Sequence, residues 1–184
     1  MMVGLVVGAV LLSGCAAKEK ASTSLPAPTS TAAPTTAALP PMGPPDFPVP
    51  AAARTKDAAG AEAFLRYYIE LLNRQQAIPA GGPIRQLGPD CRECLRIASV
   101  FEASAGKKER YEGGRVTVTS IATPEARDDM MAFSFLASGE AIRHIDQNGK
   151  LLELVPADAR LGCGMTLAWS NATKSWLVSS LTLG

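Results

Sequence analysis

The sequence predicts an α+β domain, helices first and antiparallel strands after, preceded by two segments that stand outside the fold. Three observations carry this. Apolar residues recur at helical spacing only within residues 61–102, a period of two takes over from residue 115, and the composition changes near Ala53. Helices followed by strands in this way pack on one face of a curved antiparallel sheet.

Residues 1–12 contain only Met, Val, Leu, Ala and Gly. That is the length of a signal-peptide hydrophobic region and too short to cross ~30 Å of hydrocarbon as a helix. An amphipathic core helix would interleave polar positions. The run closes on Leu12-Ser13-Gly14-Cys15, which resembles the lipobox of bacterial lipoproteins. The resemblance implies cleavage before Cys15, diacylglycerol on its sulfur, and a chain anchored at the outer face of the cytoplasmic membrane. Residues 1–14 are then the expected signal peptide. The first cation is Lys18, whereas signals usually begin with Lys or Arg, so the true start is expected upstream of Met1. Two or three acyl chains on one cysteine hold stably, where a single chain holds only reversibly.

Residues 15–52 are dominated by Ala, Ser, Thr and Pro, as in Ser24-Leu25-Pro26-Ala27-Pro28-Thr29-Ser30. Such a segment buries too little apolar surface to offset its ordering entropy, and is expected to be a disordered stalk with polyproline character. All 18 Lys and Arg and all 17 Asp and Glu lie beyond Cys15, for a net charge of +1. This near-neutrality excludes a strongly basic nucleic-acid footprint and a polybasic hold on anionic lipid.

Residues 53–184 hold both Trp, all three Tyr and four of the five Phe, enough for one domain with one core. Ala61, Phe64, Leu65, Tyr68, Ile69 and Leu72 form one helical face, with Glu62, Arg66, Glu70 and Arg74 opposite. Thr55 or Asp57 caps the start, and Pro79 with Gly81-Gly82-Pro83 ends the helix. Of Tyr67 and Tyr68, one belongs in the core and one at its margin. Ile84 and Leu87 mark a short turn. Asp90 is the expected N-cap of a second helix carrying Cys94, Leu95, Ala98 and Phe101. Strands are expected over 115–121, 130–137, 141–146, 150–155, 163–169 and 175–183, with a break at 124–129. Asn148-Gly149 marks a hairpin.

Gly60-Ala61-Glu62-Ala63-Phe64-Leu65-Arg66-Tyr67-Tyr68, Asp90-Cys91-Arg92-Glu93-Cys94 and the Trp-containing terminal hairpin resemble an uncharacterised family of actinobacterial exported lipoproteins. The order of elements is also similar to the cone-shaped fold of nuclear transport factor 2 and ketosteroid isomerase. That fold implies a pocket between helices and sheet, for which Tyr68, Phe101, Phe133, Phe135, Trp169 and Trp176 are the candidate lining residues. Aromatics at these spacings also serve as plain core. No acid–base pair of the isomerase kind is recognisable.

Cys91-x-x-Cys94 is the sharpest chemical feature. Exported thiols meet an oxidising environment, and positions i and i+3 at a helix start fall within disulfide reach. A structural disulfide is the expected pairing. Thiol–disulfide exchange is the functional alternative, since a helix N-terminus favours the Cys91 thiolate, but Arg92-Glu93 is not an oxidoreductase pair. Cys91, Cys94, Cys163 and His144 make up a Cys₃His set without the paired spacing of a zinc site, so no metal or cofactor is expected. Cys163 reads as a small buried apolar residue and His144 as a surface imidazole. The sequence thus points to a non-enzymatic, lipid-anchored binding or envelope-assembly module with an envelope protein as partner; the alternatives are a carrier of a small apolar ligand or lipid and, third, a thiol–disulfide redox protein.

Overall fold

The computed structural model describes residues 39–184. The expected signal segment 1–14, the expected lipidation site Cys15 and the expected stalk up to residue 38 lie outside the described residues.

Residues 39–52, expected to belong to the stalk, are packed on the domain. Met42 and Val49 are buried, and Val49 N–H donates to the Met42 carbonyl at 2.9 Å to close a small loop. The Tyr67 hydroxyl donates to the Phe47 carbonyl at 2.8 Å, and the two rings stack 5.0 Å apart. Gly43 sits at φ +81°, where a Cβ would collide with the Tyr67 hydroxyl, so only glycine lets the strap pass this close. The strap explains why Tyr67 and Tyr68 are both buried, at 7% and 0% exposure. A Pro-rich composition hid three apolar anchors.

A single 3-10 turn, Ala51–Arg54, leads to α1, Ala58–Ala77. Asp57 caps it, Oδ1 accepting from Gly60 N–H at 2.7 Å. All six apolar positions read from the sequence are buried, and Leu71 and Gln75 join them. The expected turn is a six-residue helix, α2, Gly82–Leu87. The second long helix is α3, Arg92–Gly106, capped by Cys91 and not by Asp90: the Cys91 sulfur accepts from Cys94 N–H at 3.1 Å.

The strands are β1 Arg110–Gly113, β2 Val116–Ile121, β3 Glu125–Arg127, β4 Met130–Gly139, β5 Ile142–Ile145, β6 Leu151–Val155, β7 Asp158–Ser170 and β8 Ser175–Leu183. β1 and β3 have no apolar alternation to announce them, because their neighbours hold them: β1 pairs with β5 and β3 folds back on β4. The larger sheet has the order β2-β4-β7-β8 with β3 on β4, the smaller one β1-β5-β6, and every pairing is antiparallel. Register shifts within the β2–β4, β4–β7 and β7–β8 pairs bend and twist the larger sheet. Phe133, Phe135 and Ala137 of β4, Cys163, Met165 and Leu167 of β7, and Trp176, Val178 and Leu181 of β8 are its buried apolar residues, in one core cluster with those of α1 and α3. This is the α+β arrangement that the element order predicts.

Candidate functional site

Two features of α1 shape the space beneath it. Asn73 donates from Nδ2 to the Val116 carbonyl and accepts on Oδ1 from Val116 N–H, both at 2.9 Å. Its amide acts as a one-residue strand against the open edge of β2. One turn on, Gln76 Nε2 donates to the Gly113 carbonyl at 2.9 Å. The chain then crosses between sheets through Gly113 and Gly114, at φ +73° and +79°; a Cβ on Gly114 would collide with the side chains of Gln76 and Ile142.

Against this corner lies a cavity of about 350 Å³. Ile69 and Leu72 of α1, Ile97, Val100 and Phe101 of α3, and Val116, Ile142, Val155, Leu161 and Leu183 of five different strands line it. The size falls in the range of small-molecule pockets. Its polar lining residues are engaged with neighbours: Asn73 with Val116, Gln76 with Gly113, and Arg96 with Glu93 through two hydrogen bonds of 2.8 and 2.6 Å. The hydrogen bonds from Arg96 also hold the Glu93 carboxyl below its ordinary pKa. Such a lining suits an apolar guest, since it offers burial of apolar surface in preference to ionic capture.

Of the residues expected to line a pocket, only Phe101 borders this cavity. Phe135 borders a different, open hollow of about 430 Å³ across β2, β4 and β7, together with Cys163. Phe133 is core. Tyr68 is wholly buried beside Phe64, its hydroxyl without a hydrogen-bond partner in the described structure, and burial raises its phenol pKa. Trp169 and Trp176 meet edge to face, 5.3 Å apart, at the far end of β7 and β8, where Trp176 Nε1 donates to the Thr55 carbonyl at 2.8 Å. The aliphatic lining of the cavity escaped sequence reasoning because each strand gives it only one side chain.

Cys91 and Cys94 are bonded to each other, with Cα atoms 5.2 Å apart, and both are fully buried. Cys163 is a buried free thiol whose pKa burial pushes up. His144 is not the surface imidazole expected. It faces Tyr111 across the β1–β5 pair, stacks on that ring at 4.6 Å, and pairs through Nε2 with Glu109 at 2.9 Å, both side chains less than a fifth exposed. Tyr111 in turn shares a 2.7 Å hydrogen bond with Ser104. The unforeseen strand β1 creates this cluster, and none of its four residues lines the cavity. Among the described residues no group of three or more His, Cys, Asp or Glu could hold a metal ion, and no helix is long and apolar enough to cross a membrane.

No family model and no curated protein sequence matches the chain. Among solved structures it is similar to one designated Rd1NTF2_05, at 10% identity over 67% of this chain and 99% of that one, with a TM-score of 0.39. It is also similar to Aln2 from a Streptomyces species, at 18% identity over 66% and 89% of the two chains, TM-score 0.35. A third is a Catenulispora acidiphila protein, at 12% identity over 68% and 94%, TM-score 0.38. At such identities no residue role passes from those proteins to this one.

Proposed function

We propose that the chain is a non-catalytic, extracytoplasmic binding module, tethered through lipid on Cys15, that takes up a small apolar ligand or a lipid chain in the cavity beneath α1 and α3. It is an exported lipoprotein of the actinobacterial type that its motifs resemble. The observation that supports this most is the lining: ten apolar side chains converge on one space while the neighbouring polar residues are engaged with each other or with backbone. The buried Cys91–Cys94 bridge favours a structural role over thiol exchange, which needs access for an attacking thiolate.

Native mass spectrometry of the full-length protein extracted from membranes tests the reading. An apolar adduct is expected on the wild type and is lost from Ile97→Trp, whose indole fills the cavity. A wild type without adduct that also fails to bind a fluorescent fatty acid would overturn the carrier function. Cys15→Ser is expected to release the protein from the membrane fraction; unchanged membrane association and mass would refute the anchor.

A further inference from the structure

Half of the large apolar side chains exposed among the described residues fall within five consecutive positions. These are Leu151, Leu152, Leu154 and Val155, at 44, 46, 59 and 41% exposure. They make up β6, the outer strand of the small sheet, where Leu154 pairs with Arg143 and Val155 with Ile142 on opposite faces, and a register shift leaves Leu152 as an extra residue between the paired Glu153 and Leu151. A five-residue edge strand that is apolar on both faces and carries one charge, Glu153, lacks the usual protection against unwanted contact.

This strip is continuous with the cavity. Val155 pairs with Ile142, and both residues line the cavity and the cleft beside it. Val100 of α3 also lines the cavity while 40% exposed. An apolar hole thus opens on an apolar strip that extends outward along β6, with the Glu93–Arg96 pair of α3 as the charged part of its rim. We infer that β6 docks on a lipid bilayer, so that an apolar chain passes between bilayer and cavity without crossing water. The inference rests on the carrier reading for its purpose and on the rim for its location. The arm carries Glu140, Asp146, Glu153 and Asp158 against Arg143, Lys150 and Arg160, so docking is apolar and insensitive to salt, unlike polybasic attachment.

The test uses the full-length lipidated protein in its membrane. A photoreactive benzophenone side chain at Leu154 is expected to crosslink to lipid well above the same probe at Lys174, which lies in the turn at the opposite end of β7 and β8. Crosslinking to another protein, to a second copy of this chain, or to nothing above the Lys174 level would overturn the inference. In parallel, Leu152→Glu with Leu154→Glu is expected to slow transfer of a fluorescent fatty acid between phosphatidylcholine vesicles about tenfold while its affinity stays unchanged. Unaltered transfer with intact binding sinks the docking role alone. Loss of binding by the wild type sinks the carrier reading, and the crosslink then still decides what β6 touches.

Discussion

Asn73 is the residue whose removal asks the most of this structure. Its amide pairs with both backbone groups of Val116, on the side of β2 that faces away from β4. Asn73→Ala leaves one N–H and one C=O without partners at a half-buried position. A fully buried orphan costs about 1–3 kcal/mol, and partial access to water puts each of these near the lower end, for a loss of about 2 kcal/mol in all. For a domain of this size that lowers Tm by roughly 4–8 °C. Asn73→Asp keeps the acceptor for Val116 N–H and loses the donor, so it falls between the two. Urea unfolding followed by Trp fluorescence reports the change, because Trp176 is buried. Hydrogen exchange at Val116 N–H reports its cause: the amide is expected to lose protection in Asn73→Ala and keep it in Asn73→Asp. Stability of Asn73→Ala within about 0.5 kcal/mol of wild type, with Val116 still protected, would refute the one-residue strand.

Two further outcomes follow from the same structure. Removing the Cys91–Cys94 bridge by the double change to Ser opens so short a loop that the chain-entropy model expects about 2 kcal/mol of destabilisation; a denaturation midpoint equal to wild type would count against a stabilising role. At alkaline pH, burial pushes the Tyr67 phenol up to about 12 against the opposing pull of Arg74. The neutral phenol is thus favoured in the folded state, and its contribution is complete below the ordinary value of 10.0 and lost as pH rises from there through about 12. Stability should therefore fall over that interval, and Tyr67→Phe should flatten the fall while losing about 1 kcal/mol at neutral pH with the bond to Phe47. An absorbance titration at the phenolate band that shows all three tyrosines ionising together at the ordinary value would contradict this.

Local pattern was enough for those parts of the fold that a local period specifies. The face of α1, the start of α3 at the cysteines and the inward phenylalanines of β4 follow from spacing, because a helix or half-buried strand repeats its own burial every few residues. Proximity of Cys91 and Cys94 was likewise legible, being a matter of one helical turn. The lipobox-like motif at Cys15 is also local, and the anchor it implies lies outside the described residues.

Tertiary structure decided the rest, through contacts distant in sequence. Met42, Phe47 and Val49 sit in a proline-rich stretch without periodicity, and only docking on Tyr67 shows that they belong to the fold. β1 exists because β5 pairs with it, and that pairing moves His144 from the surface into a stack on Tyr111. In β8 an extra residue near Ser179 turns the buried set from Trp176 and Val178 to Leu181. The cavity is the extreme case. Its walls come from two helices and five strands, so no stretch of sequence carries its signature, and the aromatic residues that looked suited to line it were needed mostly as core. Periodicity reports which side of an element is buried; what lies opposite depends on where the chain returns.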